Sequence, residues 1–308
     1  MKKSVIVVSL MIILALMLTA CSSGNNPRQG ETGDENPGEG ITQIGENKPD
    51  DTDDINNTDK KSHEDENITP VSQSDEVEIE IDGRPICPLT GLPYHGEYKP
   101  VAMVIENSPA ARPQSGLIYA DLVYEAHAEG GITRFLAIFL SERPEIVGPI
   151  RSVRHYFMHM AREWDALLVH YGQSFIAEAQ FNTIQVRRLN GLVMPNEKPF
   201  WRDNSRKAPH NVYIDTNDCL ERIDFEQKER GFEFSTDPPP GAKEYTSLTL
   251  PFNQSSSMVE YRYDKEKGVN LRYMNGKPHV DRESGEQLYN KNIIVQYAKH
   301  GILEPGAG

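Results

Sequence analysis

Hydrophobic residues fall into short runs of strand length, beginning near position 100. The first run, Pro-Val-Ala-Met-Val-Ile at 100–105, ends at the polar stretch Glu-Asn-Ser-Pro at 106–109. This pattern predicts a buried strand that leads into a polar loop. Residues 122–129 then alternate between apolar and polar side chains, and a second apolar run follows Gly130-Gly131. Two such runs around Gly-Gly predict a β-hairpin.

The register of this hairpin decides which charged residues share a face. With a two-residue turn, His127 would lie opposite Arg134 and Glu129 opposite Ile132, with Glu125 on the face of Glu129. A helix over residues 117–128 is the alternative interpretation.

Helical spacing appears after position 149. Tyr156, Met160, Trp164 and Leu167 recur at the interval expected for one helix face, which predicts a helix over 149–168. The end of that range is also compatible with a short strand, because 166–169 is wholly apolar. Downstream, the pattern predicts a helix at 175–188, a strand at 212–214 and a short helix at 217–231.

This mixture of strands and helices predicts an α+β or α/β N-terminal domain with a mixed sheet, over residues 85–240. The residue pattern changes after the proline-rich stretch at 238–240, where strand and turn signals replace the mixed pattern. Residues 244–308 are typical of a small β-rich module. Asn275-Gly276 is a strong hairpin turn within it, and segments 269–280 and 292–297 are expected to join one sheet. This C-terminal module is expected to be incomplete, because no closing element follows its open edges.

The N-terminus has the parts of a bacterial export signal. Two lysines precede an apolar run that is too short for a comfortable membrane span, so residues 1–20 are predicted to be a signal peptide. The exit Leu-Thr-Ala-Cys looks like the lipobox of bacterial lipoproteins, in which the cysteine is lipidated. We therefore expect Cys21 to anchor the protein in the lipid bilayer, at the outer face of the cytoplasmic membrane, since more than one acyl chain gives stable anchoring.

Charge is concentrated in the segment after Cys21. Residues 22–80 hold 17 acidic and 4 basic side chains within a chain of net charge −14, and large apolar residues are scarce there. Residues 21–80 are therefore expected to form the lipidated start and an acidic, disordered tether. The remaining body is nearly neutral and has no basic surplus, so a nucleic-acid partner is not expected.

The remaining cysteines, Cys87 and Cys219, carry no spacing signal, and whether they pair stays open. The chain has no Cys-x-x-Cys pair, which disfavours a thiolate zinc site.

Five motifs resemble those of the YerB-like lipoproteins of Firmicutes, a family of unknown function. They are "CPLTGLP", "ENSPAARPQSGL", "EGGITRFLAIF", "GPIRSVRHYF" and "RDNSRKAPHNVY", and the resemblance covers roughly residues 86–300 in consistent order. The resemblance implies a larger N-terminal module and a smaller β-rich C-terminal one, and implies no activity.

The stretch "GPIRSVRHYFMHM" at 148–160 concentrates the candidate chemistry. A helix starting at Pro149 would present free N–H groups near Arg151, Ser152 and Arg154, a combination that favours carboxylate or phosphate. Two interpretations stay open: either Glu125 and Glu129 neutralise these arginines internally, or a ligand does.

We predict a polar cleft that binds an anionic or carboxylate-bearing ligand related to the cell wall, or a protein that acts on the wall. A peptidoglycan fragment is one such ligand. The alternative function is a wall hydrolase with His170 or His210 as the base. No metal or other cofactor is expected: His155 and His159 are spaced for zinc but lack further ligands, and no G-x-S-x-G motif is present. The candidate ligand-binding residues are Glu125, Glu129, Arg134, Arg151, Ser152, Arg154, His170, Arg202, His210 and Asn211.

Overall fold

A five-stranded mixed sheet forms the centre of the N-terminal domain. Its strands are β1 (Val101–Glu106), β2 (Leu122–His127), β3 (Thr133–Phe139), β4 (Leu167–His170) and β5 (Arg188–Asn190), in the order β2-β3-β1-β4-β5. Strand β1 is antiparallel to β3 and parallel to β4, and β5 is parallel to β4. Two further strands, β6 (Phe200–Arg202) and β7 (Val212–Ile214), form an antiparallel pair.

The computed structural model describes residues 85–194, 197–235, 241, 243–253, 257–298 and 301. The predicted signal peptide, Cys21 and the tether lie outside this range. Among the described residues, no helix combines the length and apolar character that a bilayer crossing requires.

Both faces of the central sheet are covered. Ala102 and Val104 of β1 pack with helix α1 (His155–Glu163) and helix α2 (Phe175–Gln180) in one hydrophobic cluster. Val101, Met103 and Ile105 belong to a second cluster with β7 and helix α3 (Thr216–Leu220). Because successive side chains of a strand point to opposite faces, a strand covered on both sides is apolar throughout. All six residues of β1 are buried.

The predicted hairpin is confirmed, but its two-residue turn is wrong. His127 lies opposite Thr133 and Ala126 opposite Arg134, so residues 128–132 form a five-residue connection. The Ala128 N–H closes it by donating to the Ile132 carbonyl at 2.8 Å. Both glycines within it have positive φ, which lets the chain reverse inside the longer loop. A shift of one residue turns a side chain to the other face of the sheet.

The helix predicted to begin at Pro149 begins at His155 instead. The residues before it are extended and take part in the sheets: the Ile150 N–H donates to the Val212 carbonyl at 2.7 Å, and the Arg151 N–H to the Val104 carbonyl at 2.8 Å. These partners satisfy the backbone groups that a helix would have used. At the other end, the short strand at 166–169 was the better alternative and corresponds to β4.

The other two predicted helices are shorter than expected. Helix α2 ends at Gln180 and α3 at Leu220. Beyond α3 the chain crosses the N-terminal domain, where the Lys228 N–H donates to the Asp165 carboxylate at 2.7 Å. Such tertiary bonds replace the continuation of the helix predicted to residue 231.

The C-terminal module is a separate antiparallel sheet. It contains β8 (Ser247–Asn253), β9 (Ser257–Asp264), β10 (Val269–Met274), β11 (Lys277–Pro278) and β12 (Tyr289–Asn290), with β12 paired to β10. The Asn275-Gly276 turn is confirmed, since both residues have the positive φ of a type I′ turn. The strand predicted at 292–297 is wrong. The fold class is confirmed: a mixed sheet with few helices, followed by a β-rich module.

The two cysteines of the described residues are free and buried. Cys87 belongs to one hydrophobic cluster of the central sheet and Cys219 to the other. The sheet separates them, so they do not pair.

Candidate functional site

A group of buried polar side chains, including Glu106, Thr133, Arg134 and His170, lies at one edge of the central sheet. Parallel strands β1 and β4 end there at Glu106 and His170, and antiparallel β3 begins there with Thr133 and Arg134. Ligand sites of open sheets favour the crevice at the carboxyl ends of parallel strands. The extended segment 148–154 crosses this edge and supplies the arginines predicted from the sequence.

Glu106 is at the centre of this group, with its side chain 2% exposed. Its Oε2 lies 2.8 Å from His210 Nδ1 and 3.2 Å from Arg151 Nε, and its Oε1 accepts from the Ser108 hydroxyl at 2.9 Å. A carboxylate only accepts hydrogen bonds, so Nδ1 of His210 carries the proton. The other ring nitrogen, Nε2, is then the one that faces away from Glu106.

Arg151 is held at one end only. Its Nε is close to Glu106 without the alignment of a hydrogen bond, and its two terminal amino groups have no acceptor among the described residues. The side chain is 26% exposed, and that of His210 25%. Two partly exposed groups therefore share one buried carboxylate and keep further hydrogen-bonding capacity.

Arg154 and Arg134 are paired internally. Arg154 donates from two nitrogens to the Glu129 carboxylate and from Nη1 to the Ser152 carbonyl at 3.0 Å. Arg134 donates to the same carbonyl at 2.8 Å and lies 3.8 Å from Glu129. Burial and the positive charge of Arg154 lower the pKa of Arg134 to about 10. For Arg154, the internal neutralisation considered from the sequence is what the structure shows, with Glu129 as the partner.

His170 is fully buried and stacks on Phe181 with ring centroids 5.9 Å apart. Its Nδ1 contacts the Gly172 carbonyl at 2.8 Å, and burial lowers its pKa to about 4. A neutral imidazole beneath the surface has no access to a substrate. His170 is therefore a structural neighbour of the site, and the part of the hydrolase alternative that used it as base is wrong.

Arg202 and Asn211 flank the site on the side of β6 and β7. Arg202 donates to Asn211 Oδ1 at 2.7 Å and to the Tyr171 hydroxyl at 3.0 Å. The Tyr171 backbone is joined to segment 148–154, because its N–H donates to the Arg151 carbonyl and its carbonyl accepts from the Ser152 hydroxyl, each at 3.0 Å. These bonds fix the walls of the site and leave Ser152 in a structural role.

Glu125 does not join the arginines of segment 148–154. Glu125 lies on the same face of the sheet as Val123, which packs against the second hydrophobic cluster. Arg134 lies on the opposite face, together with Leu136 of the first cluster. Glu125 Oε1 accepts from Asn107 at 3.1 Å and Thr133 at 2.6 Å, and its Oε2 from Arg272 of the C-terminal module at 2.8 Å. The expected common face of Glu125 and Glu129 was wrong because it depended on the two-residue turn.

Glu106, Ser108 and the partners from the C-terminal module are absent from the sequence-derived set. One signal pointed to Glu106: a carboxylate that directly follows a wholly apolar run and precedes a polar loop. Within the described residues, no group of three or more metal-ligating side chains converges.

Comparisons with known proteins agree with the motifs. Residues 89–232 match the model described as "Protein of unknown function (DUF3048) N-terminal domain", and residues 248–308 match the corresponding C-terminal domain. The chain is 38% identical over 228 residues to "Putative lipoprotein YerB" of Bacillus subtilis, covering 71% of this chain and 69% of that protein. The crystal structure of YerB from Bacillus subtilis superposes with a TM-score of 0.60 at 38% identity, over 67% of this chain and 72% of that one. With both of its domains matched and a relative this similar over most of its length, the chain belongs to the DUF3048 family of proteins of unknown function.

Proposed function

We propose that this protein is a lipid-anchored extracytoplasmic lipoprotein that binds a carboxylate-bearing fragment of the cell wall at Arg151 and His210. The lipobox around Cys21 and the name of the similar lipoprotein support the anchor. The acidic segment that follows Cys21 supports a placement away from anionic lipid and towards the wall.

The ligand proposal rests on the two terminal amino groups of the Arg151 guanidinium. A guanidinium presents its donors in a planar fork that matches a carboxylate. In Arg154 that fork is occupied by Glu129, whereas the terminal amino groups of Arg151 have no acceptor among the described residues. A carboxylate on the ligand would complete the bonding of Arg151 next to His210, which contacts the same Glu106 oxygen.

Binding of muropeptides to purified protein tests this proposal. Arg151→Gln should weaken binding of a muropeptide with free stem-peptide carboxylates by at least ~10-fold, since one charge-assisted bidentate contact is lost. Arg162→Gln, at an arginine in the last turn of α1, is the matched control and should bind as the wild type does. Equal affinity for a muropeptide whose carboxylates are amidated would refute the carboxylate specificity.

One observation favours a hydrolase as second candidate. Glu106 holds Nδ1 of His210, which leaves Nε2 as a proton acceptor on a partly exposed ring. A base oriented by a carboxylate is a recurring arrangement in hydrolytic sites. Release of soluble fragments from purified wall by the wild type, and its loss in His210→Gln, would favour this candidate; binding without turnover would favour the first.

A further inference from the structure

The site is bordered by two loops of the N-terminal domain. The first site loop, residues 107–115, follows Glu106, and the second site loop, residues 203–211, carries His210. The second loop is closed by a hydrogen bond from the Asp203 N–H to the Asn211 carbonyl at 2.9 Å. Neither loop contains a regular strand or an α-helix, so the position of His210 depends on what holds these loops.

A single turn of the C-terminal module contacts both loops. This docking turn comprises residues 279–283. On the second site loop, Arg282 donates to Asp203 Oδ2 at 2.6 Å and to the Ser205 hydroxyl at 3.0 Å. It also donates to the hydroxyl of Tyr213, the second residue of the following strand β7, at 3.2 Å.

The docking turn also forms hydrogen bonds with the first site loop. The Arg282 N–H donates to the Gln114 carbonyl at 2.7 Å, and Ser115 donates to the Glu283 carboxylate at 2.8 Å. His279 Nε2 lies 2.8 Å from Gln114 Oε1. Since Arg272 Nε donates to His279 Nδ1 at 3.1 Å, the proton of this ring is on Nε2 and is donated to Gln114.

Gln114 links the docking turn to the end of β1 by hydrogen bonds. Its amide donates to the Glu106 carbonyl and to Asn107 Oδ1, both at 2.9 Å. Gln114 is 1% exposed and His279 4%, so these bonds are shielded from competing water. The C-terminal module is therefore linked to the Glu106 backbone through the buried side chain of Gln114. It contacts the loop of His210 directly through Arg282.

We propose that the C-terminal module completes the binding site, with Arg282 as a positioning residue that holds the second site loop so that His210 meets Glu106. This inference rests on the proposed function of the Glu106–Arg151–His210 site. Its physical basis is that one guanidinium joins two side chains of the loop and one of the neighbouring strand, a geometry that a more flexible single donor does not reproduce.

Arg282→Gln in the full-length protein tests the proposal, with Arg262→Gln as control. Arg262 belongs to the same module and also pairs with a carboxylate, Glu260 at 2.7 Å, but both side chains lie in β9 of the C-terminal sheet. The first readout is the tautomer of His210 by nitrogen-15 spectroscopy, together with amide hydrogen exchange of residues 203–211. The second is affinity for the muropeptide with free carboxylates.

In Arg282→Gln we expect a mixture of His210 tautomers, exchange at least ~10-fold faster in the second site loop, and affinity at least ~10-fold weaker, because charge-assisted bonds are lost. Arg262→Gln should change none of these. Arg282→Lys, which keeps the charge, should fall between wild type and Arg282→Gln, and it serves as the test variant if Arg282→Gln does not fold.

Two outcomes separate this inference from the proposed function. If the wild type binds the muropeptide and Arg282→Gln binds it equally well with an unchanged His210 tautomer, the positioning role is refuted and the ligand proposal stands. If the wild type does not bind it, but the tautomer and exchange still change in Arg282→Gln, the ligand proposal fails and the positioning role stands.

Discussion

The ion pair between Glu125 and Arg272 links the two modules in a nearly dry interface. The side chains are 10% and 5% exposed, and the Arg272 guanidinium also bonds Tyr261 and His279. Burial opposes the charge of Arg272, but Glu125 and Tyr261 outweigh it and raise the pKa of Arg272. Burial and the charge of Arg272 lower the pKa of His279 well below its usual range, so that ring is neutral. The pair therefore carries one buried positive and one buried negative charge.

Removing Arg272 should cost far more than the net value of the pair. In Arg272→Met, Glu125 keeps its bonds from Asn107 and Thr133 but loses its ion pair with Arg272, and a buried charge that loses its partner in this way costs about 3–5 kcal/mol. For a folded body of this size, 1 kcal/mol lowers the melting temperature by about 2–4 °C. The expected fall is therefore roughly 6–20 °C.

A double-mutant cycle separates the pair from general damage. Glu125→Gln keeps the shape and removes the charge, and the double variant Glu125→Gln/Arg272→Met buries no unpaired charge. Its destabilisation should be smaller than the sum of the single variants by about 1–3 kcal/mol. Arg262→Met, at an exposed ion pair, is the control and should leave the free energy of unfolding nearly unchanged. Thermal and urea unfolding measure all four. Additive single effects below about 1 kcal/mol would refute the buried-charge reasoning.

Four further predictions concern the anchor, the tether and two titrating groups. Cys21→Ala should release the protein into the medium or leave it unprocessed; a membrane-held acylated product of this variant would contradict lipidation. Limited proteolysis should cut first within 22–78, and early cuts within 100–215 would contradict the tether. Because the folded pKa of His170 is about 4, below the ordinary 6.5, the unfolded chain binds its proton more tightly. The stability that His170 contributes in this way is fully present above pH 6.5 and falls by about 3 kcal/mol as the pH drops to 4. The lowered pKa of His279 changes the stability in the same direction. In His170→Gln the free energy of unfolding should fall less steeply over that range; an unchanged slope counts against burial as the cause. Hydrogen bonds from Ser205 and Arg282 lower the pKa of Asp203 to about 2. The stability this gives is present above pH 4 and is lost as pH falls from about 4 to 2, so Asp203→Asn should flatten the acid limb of the unfolding curve.

The pattern of side chains alone determined the elements whose signals are local. A short apolar run between proline and polar residues specifies β1, because a run of strand length that is apolar at every position is typical of a strand covered on both faces. Asn275-Gly276 specifies its turn because these residues tolerate positive φ. The change in residue pattern near residue 240 marks the boundary between the mixed sheet and the antiparallel one. This boundary is also a local signal, because strand and turn preferences act over a few residues.

The pairing of charges was decided only by the tertiary structure. Glu106 meets His210 across 104 positions, and Glu125 meets Arg272 across 147. No local preference encodes such contacts. The hairpin shows how sensitive they are: its loop has five residues instead of two, and the strand alternation then places Glu125 against the C-terminal module and away from the arginines. The sequence indicated some of these charged residues, including Arg151 and His210, but not Glu106 or Arg272. The sheet faces and the docking of the second module decided which of them meet.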